Sequence, residues 1–285
     1  MVGNIQKLGL IAGNGRFPFL ILRQAIQKNI PVVVAAIKEE TFPEIEEFAS
    51  ESDVSIHWIG LGHLNKLIRL FKGADVTQVL MAGQVKHAKI FSTKRVDGLK
   101  WGVTVPDVKM IGMLASLPKK NTQSLLEGVI SVLENEGFEF VDSTVLLKSL
   151  LAKSGLLTRR SPNSEEQKDI ECGRLVAREI ARLDVGQTIV VKSQAVVAVE
   201  AMEGTNETIR RAAQLVGGQR LTVVKVSRPD QDMRFDVPVI GLETFKVLRE
   251  CNVSALSIDA GKTLIIDSDE FFEKVEASKI AIVAE

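Results

Sequence analysis

The sequence predicts an α/β fold in two domains, the first built on a parallel sheet and the second on a mixed sheet, with a helix-rich stretch between them. Three observations carry this reading. Short β-branched runs alternate with amphipathic segments up to about residue 83, the succession that a parallel sheet covered by helices requires. The same alternation resumes at Gly186 and continues to the end. At 285 residues the chain also exceeds the size at which one hydrophobic core stops growing.

Taken in order, KLGLIA (Lys7 to Ala12) is a short apolar strand, and FPFLILRQAIQKN follows with helical spacing of Phe17, Leu20, Ile21 and Ile26. PVVVAAI is a buried strand, and the cycle repeats with IEEFASES, VSIHWIGL, HLNKLIRLFKGA and DVTQVLMAG. This is a Rossmann-like pattern, whose ligand face lies at the C-terminal ends of the strands. Residues 84 to about 185 are mainly helical, with LLEGVISVLENEG and EEQKDIECGRLVAREIARLD as the clearest segments. In the latter, Ile170, Val176, Ile180 and Leu183 form one apolar stripe, leaving Glu171, Arg174, Arg178 and Glu179 to solvent. KSGLLTRRSPNSEE is loop-like, with Thr158, Arg159 and Arg160 read as solvated. The domain boundary is placed near residue 142, giving domains 1–141 and 142–285, with the chemistry expected between them. In the second domain TIVVKS and QAVVAVEA pair as strands, TNETIRRAAQLVG is a helix, RLTVVKVS a strand and ETFKVLREC a helix, before three more strands in SALSIDA, KTLIID and KIAIVAE.

Composition narrows the function. Thirty-six basic and thirty-six acidic residues cancel, so the chain lacks the global field that recruits nucleic acid or an anionic bilayer. Cys172 and Cys251 lie far apart, outside metal or redox spacing, and are expected as buried thiols of a reducing cytoplasm. The apolar run at the start is too short and glycine-rich for a signal peptide, and no stretch approaches about 18 apolar residues. A peripheral membrane contact through an apolar patch escapes this test, and a homo-oligomer stays open.

Four places have the residues for chemistry. In GLIAGNGRFP a strand runs into Gly13, Asn14 and Gly15 and then Pro18, a helix-starting residue, so backbone N–H groups can converge on a phosphate. A plain strand-to-helix turn is the alternative, since the third glycine of the dinucleotide fingerprint is missing and no acid ends VVVAAI. In MAGQV, Gly83 and Gln84 mark a second strand end, either a turn or a hydrogen-bonding site facing the same crevice. In VEAMEGTNETIRRA, Thr205 or Asn206 can cap the next helix, yet Glu203, Gly204 and Thr205 also stand where a helix N-terminus favours phosphate.

The fourth place is KVSRPDQDMRFDVPVIG. If DMRFDV is extended, Asp232, Arg234 and Asp236 share one face and Met233, Phe235 and Val237 the other. A solvated edge strand also fits that pattern. Lys225 and Arg228 add cations, Pro229 stiffens the approach and Pro238 favours an extended residue before it. Carboxylates beside guanidinium groups suit magnesium-assisted phosphoryl chemistry, which needs hard oxygens for the metal, forked donors for phosphate and a base for water. His57, His63 and His87 lack metal-ligand spacing and are read as structural or exposed. The sequence holds neither a nucleophile-elbow serine nor a Walker lysine.

GLIAGNGRFP, LDVGQTIVVKSQAVVAVEAMEGTNETIRRA and KVSRPDQDMRFDVPVIG occur in the order found in the LpxI-type UDP-2,3-diacylglucosamine pyrophosphatases of lipid A biosynthesis, and the chain resembles that family over essentially its full length. The resemblance implies a Mg²⁺-dependent hydrolase at the cytoplasmic side of a Gram-negative inner membrane, giving UMP and 2,3-diacylglucosamine 1-phosphate, with the two domains enclosing the lipid product. The family's catalytic aspartate corresponds to Asp236, and Arg234 and Lys225 are expected to stabilise phosphate charge. Asp236, Asp232 and Glu203 are the expected metal ligands, and Gly13, Asn14, Gly15, Gly83, Gln84, Gly204, Thr205 and Gln231 the expected substrate contacts. Asn206 stands where the family usually has Asp; if that acid is a metal ligand, magnesium is expected to bind more weakly here, the alternative being that Glu203 or Asp232 takes over its role. The sequence leaves open whether Asp236 ligates metal or activates water. Two rivals are a nucleotide-sugar or acyl-chain binding protein without turnover and a nicotinamide-dependent oxidoreductase, the latter opposed by the missing ribose-binding acid.

Overall fold

The computed structural model describes residues 5–38, 40–85, 105–118, 122–229 and 231–285; His87 lies outside them. The chain divides into two compact units, Met1–Leu147 and Lys148–Glu285.

The first unit is a five-stranded parallel sheet in the order β3-β2-β1-β4-β5. Its strands are β1 (Leu8–Ala12), β2 (Val32–Ile37), β3 (Val54–Ile59), β4 (Gln78–Ala82) and β5 (Glu139–Phe140). Every residue of β1 and β2 is buried, which explains their unbroken apolar runs, since a parallel sheet is covered on both faces. Helices α1 (Phe17–Gln27) and α2 (Leu64–Gly73) supply crossovers, while a 3₁₀ segment, Pro43–Ser50, occupies the link between β2 and β3. From β1 the chain moves outward to β2 and β3, then returns to place β4 on the other side of β1. That reversal opens a crevice at the C-terminal ends of β1 and β4. Helices α3 (Val108–Ser116) and α4 (Thr122–Asn135) complete this unit's helices among the described residues. The Asp107 side chain caps α3 by accepting from Met110 N at 2.9 Å.

The second unit has a six-stranded mixed sheet in the order β6-β13-β11-β9-β7-β8. These strands are β6 (Gly155–Leu156), β7 (Thr188–Lys192), β8 (Ala195–Val199), β9 (Leu221–Lys225), β11 (Val253–Ile258) and β13 (Ala281–Ala284). A separate parallel ladder joins β10 (Val239–Ile240) to β12 (Leu264–Ile265). Helix α5 (Ser164–Arg182) packs against a cluster with Ile189, Val191 and Val224, while α6 (Thr205–Leu215), α7 (Leu242–Glu250) and α8 (Ser268–Ala277) pack around a separate core that includes Val190, Val223, Leu256, Phe271 and Ile282.

Helix α5 departs from its expected faces. Ile170, Gly173, Ala177 and Ala181 form its buried stripe, whereas Leu183 is exposed and Cys172 only half-buried. The small residues bring the helix close to the sheet: a Cβ on Gly173 would lie 2.7 Å from Val224 Cγ2. Arg174, expected in solvent, is buried at 5% exposure because it meets carboxylate and carbonyl groups from β11. The Thr158-Arg159-Arg160 segment is likewise not simply solvated. Thr158 is buried and accepts from Ile282 N at 2.9 Å, while Arg160 donates to both oxygens of Glu166 at 2.6 Å. Glu166 also closes a capping box with Asn163, fixing the start of α5.

Burial opposes ionisation of Glu166, but hydrogen bonds from Ser254, Arg160 and the Asn163 backbone outweigh it and lower its pKa. A carboxyl lowered on folding contributes stability that is full above its unfolded pKa and disappears as pH falls through the folded value. Glu166→Gln is therefore expected to cost on the order of 2 kcal/mol at neutral pH through the lost cap and ion pair. The difference from wild type should shrink as pH falls below about 4, as measured by urea unfolding followed by circular dichroism at several pH values.

Candidate active site

Polar groups of the second unit gather at the end of its mixed sheet where β9 and β11 finish. In the antiparallel ladder Thr188 at the start of β7 pairs with Lys225 at the end of β9, and Ile189 pairs with Val199 at the end of β8. Parallel pairing sets Ile258, the last residue of β11, beside Lys225. Four strand ends therefore place their flanking residues together.

The first group centres on Thr205. Lys225 Nζ donates to Thr205 Oγ1 at 2.8 Å, and that hydroxyl donates to Glu200 Oε1 at 3.0 Å. Thr188 Oγ1 lies 3.1 Å away from it. Neither Thr205 nor Asn206 caps α6: the cap position belongs to Gly204, at φ +83°, without a side-chain cap bond. Thr205 is the first helical residue, so its hydroxyl serves the Lys225 cluster. The sequence reading missed Glu200 and Thr188; the legible signal was a carboxylate directly ending an apolar strand.

The second group is the segment after β9. DMRFDV is a turn rather than a strand, for Asp236 N donates to Asp232 O at 2.9 Å and Phe235 N to the same carbonyl at 3.3 Å. The expected alternation of faces is thereby replaced by local ion pairs. Arg234 Nε lies 3.0 and 3.1 Å from the two Asp232 oxygens, and its Nη2 lies 2.7 Å from Oδ2. Asp236 is paired with Arg228, which also donates to Asp184. Gln231 ties the ends of the turn: its Oε1 accepts from Arg228 N at 2.8 Å and its Nε2 donates to Asp236 O.

The electrostatics follow the pairing. Burial disfavours the Asp232 anion, yet the Arg234 guanidinium and backbone N–H outweigh this and hold its carboxyl below the usual range. Burial likewise opposes the charge on Arg228, and the Asp236 and Asp184 carboxylates more than compensate, raising its pKa. Glu203 is lowered by a backbone hydrogen bond in its own loop and by Arg211.

The three expected metal ligands do not converge. Glu203 is engaged by Arg211 at 2.6 Å, Thr208 at 3.3 Å and Ala201 N at 3.2 Å, and among the described residues no three His, Cys, Asp or Glu side chains form a metal-holding group. Asp232 and Asp236 remain as two carboxylates on one turn. That donor set fits Mg²⁺, which usually takes one or two carboxylates and completes its shell with water and substrate phosphate. Thus Lys225, Thr205 and Gly204 belong to one group and Asp232, Arg234, Asp236, Arg228 and Gln231 to the other.

In the first unit, the two glycine loops are joined. Asn14 N donates to Gln84 O at 2.7 Å and Gln84 N to Asn14 O at 2.9 Å. This approach excludes side chains: a Cβ on Gly13 would lie 2.6 Å from Gln84 O, and one on Gly83, at φ +89°, 2.5 Å from Asn14 O. Gly15 also has positive φ, +94°, but open space around it. Asn14 Nδ2 donates to the carbonyl of Glu40 at 3.0 Å. Glu40 is a buried acid just past β2, so the strand is followed by an acid that the reading of VVVAAI alone overlooked.

Beside these loops is an apolar cavity of about 80 Å³ at the C-terminal ends of β1 to β4, lined by Ile11, Ile37, Ile59, Met81, Met110 and Met113 among others. A larger groove of about 410 Å³ between α3 and α4, with Ser116, Glu127, Ser131 and Asn135 in its wall, holds none of the paired charges described above.

Comparison with known families matches both units. The LpxI N-terminal domain matches residues 7–150 and the LpxI C-terminal domain residues 153–283. The chain is 30% identical over 275 residues to UDP-2,3-diacylglucosamine pyrophosphatase LpxI of Caulobacter vibrioides, covering 93% of this chain and 92% of that protein.

The loop contact gives a direct test. Gly83→Ala is expected to destabilise the first unit by about 1–3 kcal/mol through positive φ alone, with the close approach adding to the loss. Gly15→Ala should cost less because nothing obstructs its Cβ. Tryptophan fluorescence during urea unfolding reads this unit, since Trp58 and Trp101 both belong to it.

Proposed function

This chain belongs to the LpxI family, and on that premise we propose that it hydrolyses the pyrophosphate bond of UDP-2,3-diacylglucosamine, giving UMP and 2,3-diacylglucosamine 1-phosphate in lipid A biosynthesis. The observation that carries the reading is Asp236, presented on a tight turn beyond β9 and held by the Arg228 guanidinium. Lys225 and Thr205 at the neighbouring strand and helix ends supply phosphate donors close in the fold.

In this mechanism Asp232 and Asp236 would hold Mg²⁺, which would supply charge that neutralises the pyrophosphate. Water forms the new P–O bond as the bridging P–O bond breaks, and the phosphate that departs keeps the bonding electron pair. Asp236 serves as the metal ligand or takes the proton of the attacking water; both roles require an aimed carboxylate, which Arg228 and Gln231 provide. Lys225, the N-terminal amides of α6 and Arg234 donate to oxygens whose negative charge grows in the transition state. For Arg234 to do so it must share or leave Asp232, so substrate phosphate and Asp232 compete for one guanidinium.

The first unit supplies complementary chemistry. Its apolar cavity suits the end of a hydrocarbon chain, supporting a place there for part of an acyl tail, with the Gly13, Asn14, Gly83 and Gln84 loops beside it. Among the described residues no helix is long and apolar enough to cross a membrane. Exposed Val105, Val108 and Ile111, on and just before α3, support a peripheral contact with the cytoplasmic face of the inner membrane, from which a diacylated substrate would come.

Incubation with UDP-2,3-diacylglucosamine should release UMP with Mg²⁺ and not with a chelator. Asp236→Asn should lower kcat on the order of 10²- to 10⁴-fold while still binding substrate. Binding without turnover by the folded wild-type protein would contradict hydrolysis and favour a nucleotide-sugar or acyl-lipid binding protein.

A further inference from the structure

The turn that presents Asp236 has no ladder of its own, so something outside it must fix where it leaves the sheet. β9 and β11 pair in parallel up to Lys225 and Ile258. Beyond that point Val226 N donates to Gln187 O at 2.9 Å. The next amide, Ser227 N, donates instead to a side chain, Asp259 Oδ2, at 2.6 Å. Asp259 immediately follows β11, so its carboxylate holds the β9 exit just past the end of the ladder.

That carboxylate is itself held. Its other oxygen, Oδ1, accepts from Arg174 Nη2 at 2.5 Å. Arg174 projects from the middle of the 19-residue helix α5 and grips the end of the same strand, with Nη1 donating to Ser257 Oγ at 3.0 Å and to Ile258 O at 3.3 Å. The Glu285 carboxylate lies 3.2 Å from its Nε. A guanidinium at 5% exposure is costly to bury without such partners, and its fork sets the direction in which Asp259 points. One residue after Ser227, Arg228 begins the contacts that define the turn, through its backbone N–H to Gln231 and its guanidinium to Asp236.

We propose that Asp259, oriented by Arg174, is a positioning residue for the pyrophosphatase reaction: it fixes the backbone at Ser227 and thereby the register from which Arg228 reaches Asp236. Asp259 acts through the turn and does not touch substrate. This role rests on the reading of Asp236 as the residue on which turnover depends, while the hold on the turn can be measured without turnover.

The test compares Asp259→Ala and Asp259→Asn in the full chain. Kinetics of UMP release are combined with amide hydrogen exchange across residues 226–236. Asp259→Ala should lose protection at Ser227 and in the turn with the rest of the second unit unchanged, and kcat should fall about tenfold or more with KM altered less than about threefold. Asp259→Asn leaves one acceptor oxygen for two donors, the Ser227 N–H and the Arg174 fork, so it should lose Ser227 protection and kcat in the same direction as the Ala variant. A folded Asp259→Ala or Asp259→Asn protein with wild-type exchange and kcat would overturn the proposal. If Asp259→Ala does not fold, Arg174→Lys, which keeps charge but loses the fork, should weaken Ser227 protection and lower kcat at constant KM; unchanged values would overturn it. If wild-type protein releases no UMP, the function reading fails and the exchange comparison alone decides whether Asp259 holds the turn.

Discussion

The candidate site depends on one constraint: charge brought to the end of a mostly apolar sheet must be compensated where it stands. Arg228 meets it most economically in space, lying between Asp184, two residues beyond the end of α5, and Asp236 on the turn after β9. Its side chain is only 13% exposed, so removing these carboxylates would leave a partly desolvated cation without counter-charge. Arg234 and Asp232 solve the same problem two residues apart, and Arg211 and Glu203 solve it at the start of α6. The charge crowded into KVSRPDQDMRFDVPVIG is thus ordered as pairs, and pairing converts a segment with no ladder into a defined turn.

The same pairing has a chemical consequence. A guanidinium that binds a carboxylate through two N–H groups offers the same fork to phosphate. The resting ion pairs therefore resemble the contacts that a pyrophosphate would require, with carboxylates occupying the places of anionic oxygens. A substrate carrying Mg²⁺ would give Asp232 and Asp236 a cation in exchange for their separate partners, Arg234 and Arg228. The Lys225, Thr205 and Glu200 chain works alongside: the hydroxyl sits between ammonium and carboxylate, so its direction is set before any ligand arrives.

Much of the fold was legible because it rests on local periodicity. The unbroken apolar runs of β1 and β2 announced a sheet covered on both faces, and Gly13 and Gly83 marked the strand ends that the structure joins. The site was legible in its ingredients but less so in its geometry. DMRFDV alternates like a strand, yet the bond from Asp236 N to Asp232 O and the Asp232–Arg234 pair fold it into a turn, a contest between side-chain pairing and extension that period two does not register. Arg174 was assigned to solvent by its place on the helix, and its burial depends on Asp259, far away in sequence. Thr205 looked like a cap, but the positive φ of Gly204 ends the loop one residue earlier and frees the hydroxyl for Lys225.

Whether Arg228 aims Asp236 for turnover is read most directly from kcat and KM for UMP release by Arg228→Met and Arg228→Lys. The kcat should fall on the order of 10²-fold in Arg228→Met, with part of it restored in Arg228→Lys, which keeps the charge without the fork. A folded Arg228→Met protein that turns over substrate at the wild-type rate would contradict that role.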